Sequence, residues 1–398
     1  MKQSNPRIRF KEFNNKWGNY KLGQLGSFKS GIGFPDSQQG GTEGIPFFKV
    51  SDMNNIGNET EMRNANNYVT QEQIVKNSWN VVKDTPAIIF AKVGAALMLN
   101  RKRLVTKTFL IDNNTMSYSL NKSWDKDFGL TLFQTIYLPK YAQIGALPSY
   151  NASDIATIKV NVPNIQEQSA IGTLFRTLDD LLESYKDNLI NYQSFKVTML
   201  SKMFPKAGQT VPEIRLDGFE DRWEEKEFIQ IVNRVTESSD SDSLPKVEFE
   251  DIISGQGKLN KDISSKFDNR KGILFKSGYT LYGKLRPYLN NWLLPKFEGV
   301  ALGDFWVFDP NGNNSDFIYY LVQSSRYQKV ANDTSGTKMP RSDWKSVSTT
   351  IFAIPQTIAE QQAIGAYFSN LDNLISSHQE KISQLEILKK KLLQDMFI

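Results

Sequence analysis

Residues 163–204 read PNIQEQSAIGTLFRTLDDLLESYKDNLINYQSFKVTMLSKMF, and residues 355–397 read PQTIAEQQAIGAYFSNLDNLISSHQEKISQLEILKKKLLQDMF. From the Glu-Gln pair onward the two stretches align without gaps, 193 residues apart. Glu167, Gln168, Ala170, Ile171, Gly172, Phe175, Leu178, Asp179, Leu181, Met203 and Phe204 meet the same residue types at Glu360, Gln361, Ala363, Ile364, Gly365, Phe368, Leu371, Asp372, Leu374, Met396 and Phe397. An internal repeat of this kind organises the whole chain. A shorter match precedes each half: Pro6, Ile8, Arg9, Phe13 and Trp17 correspond to Pro212, Ile214, Arg215, Phe219 and Trp223, at an offset of 206. The order is an opening motif, a globular segment and a long helix, and then the same again. Between the copies lies PKAGQTVP (205–212), whose prolines and glycine read as a linker.

Both repeated stretches are helical by period. Apolar or aromatic residues fall at 171, 174, 178, 181, 185, 192, 195 and 199, the alternating three-four spacing of a heptad seam. The second copy has them at 364, 367, 371, 374, 385, 388 and 392, with polar His378 and Lys381 in its middle. About 38 residues at 1.5 Å each give a helix of roughly 57 Å, too long to be hidden in a domain of about 150 residues. The expected solution is antiparallel pairing of the two helices, with Ile171, Leu174, Leu178, Leu181, Ile364, Tyr367, Leu371 and Leu374 as the pairing and docking positions.

The intervening segments read as mixed α and β. VVKDTPAIIFAKVGAALML (81–99) and GILFKSGYTLYGKLRPYLNNWLL (272–294) look like strand-turn-strand stretches. TMSYSL (115–120) and GDFWVF (303–308) predict a matched strand, and 128–143 and 315–330 a matched amphipathic helix. The fold class expected is α+β: two similar mixed α/β domains joined by two long antiparallel coiled-coil helices with an internal pseudo-two-fold duplication. The boundaries expected are 1–162 for the first domain, 163–204 for its helix, 205–354 for linker and second domain, and 355–398 for the second helix.

Composition narrows the chemistry. The 398 residues contain no cysteine, which excludes disulfides, thiolate metal sites and cysteine nucleophiles and suits a reducing cytoplasm. His378 is the one histidine, and its place in the helical seam favours a register-setting role over catalysis. No apolar run approaches the roughly 20 residues of a membrane helix. The N-terminal residues lack the apolar core of a secretory signal. A net charge of +5 permits nucleic-acid binding without arguing for it.

Taken together, a globular segment closing on Pro, Glu-Gln, Ala-Ile-Gly, Phe and Leu-Asp of a long helix, twice in about 400 residues, resembles the specificity subunit of type I restriction-modification enzymes. GIGFPDSQQGGTEGIPFFKVSDM (31–53) also resembles that family's lead-in to a target-recognition domain, whereas LPKVEFEDIISGQGKL (244–259) keeps a loose version. The resemblance implies two target-recognition domains that read the halves of a split, asymmetric sequence in double-stranded DNA. It implies helices that set the spacer, two docked methyltransferase (modification) subunits and further restriction motor-nuclease subunits. It also implies a chain that is itself non-catalytic, without cofactor or metal.

The residues carry chemistry that agrees. Residues 85–111 contain Lys92, Arg101, Lys102, Arg103 and Lys107, and residues 269–297 contain Lys276, Lys284 and Arg286 among other bases, both without an acid. Such clusters suit phosphate contacts, which supply affinity without sequence information. Two polar loops, GALPSYNASD (145–154) and TSGTKMPRSD (334–343), offer base-reading side chains: Ser149, Tyr150 and Asn151 in one, Lys338, Arg341 and Ser342 in the other. No Asn/Asp-Pro-Pro-Tyr/Phe motif and no Walker loop is present. The lone Gly-x-Gly of FKSGIGF (28–34) reads as a turn. Two other classes fit the same layout: a scaffold presenting two protein-binding domains on a coiled coil, and a fused methyltransferase with degenerate motifs.

Overall fold

A computed structural model of the protein describes residues 6–143, 147–264, 269–333 and 339–397. The chain forms two compact units, Met1–Lys186 with Lys381–Ile398, and Asp187–Glu380. Each long helix, Ile165–Lys202 and Ile358–Asp395, contributes its start to one unit and its end to the other.

In the first unit a four-stranded antiparallel sheet runs in the order Gly26–Ser30, Thr115–Leu120, Ala87–Ala91, Lys102–Val105. Side chains alternate across it, as the two-residue period of a strand requires. Ile88, Phe90, Met116 and Tyr118 enter the core shared with the helices, while Ala87, Ile89 and Val105 join Phe48, Met53 and Phe109 on the other face. A smaller sheet pairs Ile45–Phe48 antiparallel with Tyr68–Val69 and parallel with Leu110–Ile111. Gly18–Lys21 and Lys159–Val162 pair antiparallel where the domain meets the long helix.

The second unit repeats this plan. Its main sheet runs Asn233–Val235, Phe305–Asp309, Thr280–Gly283, Trp292–Leu293, again all antiparallel. Tyr282, Trp306 and Phe308 face the helix-side core, and Leu281, Phe305 and Val307 the other. Lys246–Val247 lies parallel to Gly299–Ala301, as Ile45–Phe48 does to Leu110–Ile111. The loose second lead-in therefore has a true counterpart: Asp52 and Asp251 are both fully buried, each accepting a backbone N–H at 2.9 Å, from Lys49 and Glu248. Glu224–Glu227 pairs with Ile351–Ile354 at the root of the second helix.

The repeated residues form a lock between domain and helix. Arg9 grips both carboxylate oxygens of Glu167 at 2.6 and 2.7 Å, and the Trp17 indole donates to the same group at 3.2 Å. Arg215 grips Glu360 at 2.7 and 2.8 Å, with Trp223 at 3.0 Å. Gln168 accepts from the Asp125 amide at 2.9 Å and donates to the Ser123 and Pro163 carbonyls. Gln361 likewise accepts from the Asn314 amide and donates to the Pro355 carbonyl, with the Asn313 side-chain oxygen in place of the second carbonyl. The repeated glycines have a steric reason: a Cβ on Gly172 would lie 2.7 Å from the Phe128 amide nitrogen, and one on Gly365 3.2 Å from that of Phe317. These contacts let the start of a domain helix, Lys126–Thr135 or Ser315–Leu321, rest directly against the long helix.

Within each unit the long helices run antiparallel. Asp179 pairs with Lys389 and Lys186 with Glu386 in the first unit. Lys196 pairs with Asp372 at 2.7 Å in the second, where the Tyr192 and His378 rings lie 5.1 Å apart. The seam differs in phase from the one expected. Ile171, Leu178, Ile364 and Leu371 are buried, and Leu174 and Tyr367 pack against the cores half-buried. Leu181 and Leu374, however, are 42% and 43% exposed and do not pair; Phe175, Leu182 and Phe368 hold the buried positions. The matched domain helix is also shorter than its pattern: Lys126–Thr135 stands against two short helices, Ser315–Leu321 and Ser325–Ala331.

Candidate nucleic-acid interface

The structure joins the basic stretch to the polar loop in each unit by the same backbone contacts. In the first unit Val93 bridges Ser149, the Gly94 amide donates to the Pro148 carbonyl at 2.9 Å, and the Tyr150 amide to that of Lys92 at 3.3 Å. In the second, Leu285 bridges Arg341, the Arg286 amide donates to Pro340 at 2.7 Å, and the Ser342 amide to Lys284 at 2.8 Å. All of these positions correspond at an offset of 192, one less than the helix repeat. Lys92 and Lys284, and Pro148 and Pro340, are identical across it.

A third loop reaches the same place, and the sequence reading missed it. The Arg101 guanidinium is bonded to the Asn54 side chain, just before Ile56, which is 91% exposed. In the second unit the Gly255 amide donates to the Asn290 carbonyl at 3.0 Å, and the Ser254 hydroxyl bonds the Leu289 carbonyl. Three loops thus converge beside one end of the main sheet in each unit. The shared lysine and proline were the only sequence signal, and two identities at a new offset do not stand out.

Several expected contact residues belong to the interior. Lys102 is buried on the helix-side face of its strand, opposite Phe90, and donates to the Ile136 carbonyl at 2.6 Å. Burial pushes its ammonium down to about 7. The Tyr150 hydroxyl bonds the Ala91 carbonyl, and Ser342 donates to the Ala331 carbonyl at 2.7 Å. Both side chains are buried, so Lys102, Tyr150 and Ser342 are corrected from contact residues to packing residues. Arg103 is half-buried, with its guanidinium held by the Lys102 and Met53 carbonyls and its charge disfavoured by desolvation. Lys276 is exposed but precedes strand Thr280–Gly283, at the end opposite Lys284.

What remains at the convergence is Lys92, Arg101, Ser149 and exposed Asn151 in the first unit, and Lys284, Arg286 and Arg341 in the second. Lys338 lies outside the described residues. Asp304 tempers the second set, 3.6 Å from Lys284 and 3.0 Å from Arg341, while Arg286 has no ion pair among the described residues. Among the described residues no cluster of three or more His, Cys, Asp or Glu could hold a metal ion, and no helix is long and apolar enough to cross a membrane.

Comparison with known proteins places this architecture. The sequence profile of the type I restriction modification DNA specificity domain matches twice, over residues 14–192 and 226–387. The specificity subunit of the type I restriction enzyme MjaVIII from Methanocaldococcus jannaschii is 19% identical over 358 residues, covering 82% of this chain and 80% of that protein. The crystal structure of the type I restriction-modification S subunit from M. genitalium shares the fold over 99% of both chains, with a TM-score of 0.63 at 14% identity. A chain from a structural study of complex assembly and conformational transition in a type I system matches over 95% of this chain and 96% of its own, with a TM-score of 0.53 at 12% identity. With two copies of the family's domain over most of its length, the chain belongs to the specificity subunits of type I restriction-modification systems, the part that recognises DNA sequence.

Proposed function

We propose that each unit reads one half of a bipartite, asymmetric duplex target through its three converging loops, and that this chain recognises rather than catalyses. One observation carries the reading: the same backbone pairings that hold a shared lysine, Lys92 or Lys284, present Gly94 and Ser149 in one unit but Arg286 and Arg341 in the other. A common frame with different side chains is what reading two unlike half-sites requires, since phosphate contacts position a protein and side chains at base edges specify. The reading places the chain in the cytoplasm, where such DNA lies.

The long helices supply the spacer and the docking surface. Ile171, Leu178, Ile364 and Leu371 are spent inside their own units, so they hold the frame. Leu181 and Leu374 remain exposed, as do Leu388 and Phe195, which the antiparallel register sets level with them. The first unit thus offers Leu181 with Leu388, and the second Leu374 with Phe195. Two equivalent apolar pairs suit two copies of one partner, the modification subunit, and restriction motor-nuclease subunits join the assembly so formed.

Exchanging residues 18–162 for those of a relative, with Arg9, Trp17 and Glu167 kept, tests the reading. The methylated or bound target should change in one half and keep its other half and spacer. A change in both halves would sink the two-reader reading. DNA binding that does not weaken as salt rises would return the protein-binding scaffold.

A further inference from the structure

The turn after strand Ala87–Ala91 and the turn after Thr280–Gly283 occupy equivalent places and differ in length and in chemistry. Each opens on a positive φ, at Gly94 (φ 76°, ψ −165°) and at Arg286, which is left-handed (φ 47°, ψ 60°). Each makes a short helical turn, Ala95–Met98 or Pro287–Leu289, and closes on left-handed Asn100 (φ 53°) or Asn290 (φ 55°). Glycine adopts such a φ freely, whereas a bulky side chain there is uncommon. Arg286 holds it because the Pro340 carbonyl on one side and the Ser254 and Gly255 contacts on the other fix the turn. Strain maintained in this way concentrates at binding sites.

The tips differ. In the first unit Met98 and Leu99 are 53% and 58% exposed, and Leu147, also exposed, lies 3.6 Å from where a Gly94 Cβ would stand. In the second unit Tyr288 is 58% exposed beside the exposed Arg286, which has no ion pair among the described residues. Large apolar side chains grouped in water next to cationic residues mark a contact with a partner. The cations Lys92 and Arg101, or Lys284 and Arg286, make a polyanion the complementary partner.

We infer that these two turns are the base-reading elements and that they read different bases. The first presents Met98, Leu99 and Leu147 to thymine methyl groups. The second presents the Arg286 fork to O6 and N7 of a guanine. In the major groove only thymine offers a methyl, and guanine offers two acceptors matched by a guanidinium. Lys284 and Arg341 share Asp304, which leaves Arg286 as the fork free to do this. The inference rests on the reading above that this end of each unit meets DNA.

The test assembles the full-length chain with its modification subunits, incubates the complex with duplexes randomised in both half-sites, and sequences the bound fraction. The wild-type consensus should hold thymine in one half and guanine in the other. Glycine adopts the left-handed φ and ψ of Arg286 freely, so Arg286→Gly keeps the turn and the fold. It should reduce the guanine preference about tenfold or more at one position and leave the other half intact. Met98→Ser with Leu99→Ser should relax the thymine preference in the opposite half only. An unchanged consensus in both variants overturns the inference, provided Lys92→Ala and Lys284→Ala still lower the salt dependence of binding. If those lysine variants leave the salt dependence untouched, the face itself has been misplaced and the reading above falls with it.

Discussion

Arg9, Trp17 and Glu167 recur as Arg215, Trp223 and Glu360 with the same donors on the same oxygens. Ser149 and Tyr150, by contrast, recur as Arg341 and Ser342, with the backbone contacts preserved and the side chains changed. The two regions differ in what a substitution costs. Glu167 and Glu360 are buried carboxylates whose oxygens are committed to an arginine fork and an indole, so losing the glutamate or the arginine strands a charge. At the loop convergence the backbone satisfies itself, and the side chains that reach water are free to change.

The comparison breaks first at the lock. Glu167→Ala leaves Arg9, only 14% exposed at its side chain, and the Trp17 N–H without their acceptor. Removing one member of a buried pair costs about 3–5 kcal/mol. Glu360→Ala should cost the second unit a similar amount. Chemical denaturation of both variants checks this, and a difference of more than about 2 kcal/mol, beyond the scatter of such effects, would show that the two locks are not equivalent.

The glycines sharpen it. Gly172→Ala drives a methyl to 2.7 Å from a backbone nitrogen and 2.5 Å from Asp125 Oδ1, neither of which yields easily. Gly365→Ala meets the corresponding nitrogen at 3.2 Å, Asn314 Oδ1 at 2.9 Å and the Asp316 Cβ at 2.8 Å. Overpacking of this kind costs about 1–3 kcal/mol, set against roughly 1 gained from alanine's helix propensity. Both should be net destabilising, Gly172→Ala by more because its two shortest contacts are closer, read as separate shifts in thermal unfolding.

How much of this was legible follows the same division. The lock residues were found because each repeats at a fixed offset, although their meaning, a fork and an indole on one carboxylate, is a contact across about 150 residues that no local pattern shows. The helix seam was misphased for a simple reason. Leu174 and Phe175, and Leu181 and Leu182, are adjacent apolar pairs, so two seams fit the sequence equally and only packing chooses. Lys196 and Lys389 also repeat at 193 residues, and the structure gives the reason: each meets the repeated aspartate of the opposite helix, Asp372 or Asp179. In the run Lys102-Arg103-Leu104-Val105, strand alternation turns Lys102 inward, which composition cannot reveal.

Lys102 has a measurable consequence that its neighbours at the loop convergence lack. Its folded pKa, lowered to about 7, lies below the unfolded value near 10.4, so between those values the unfolded chain binds the extra proton. Stability should therefore rise as pH goes from about 7 to 10, by at most about 1.4 kcal/mol per pH unit from this group. Lys102→Met should flatten that rise, as followed by denaturation across the window. A slope unchanged in the variant would mean that the Lys102 side chain is not held as the neutral amine. Ser342→Ala is a smaller test of the same correction: about 1 kcal/mol lost with the Ala331 bond, and no change in DNA affinity.

The smallest expected effect separates the two loop ends directly. A lysine that neutralises one phosphate contributes about 0.9 to the slope of log affinity against log salt. Lys92 has no ion pair among the described residues, whereas Lys284 and Arg341 share Asp304. Lys92→Ala should therefore lower the slope by close to that full amount. Lys284→Ala should lower it by less, because Asp304 already holds part of its charge away from the phosphate. Asp304→Asn should then raise the slope by releasing both cations. Equal losses for the two lysines, with no gain from Asp304→Asn, would show that Asp304 yields to DNA and that the two ends differ in their base contacts alone.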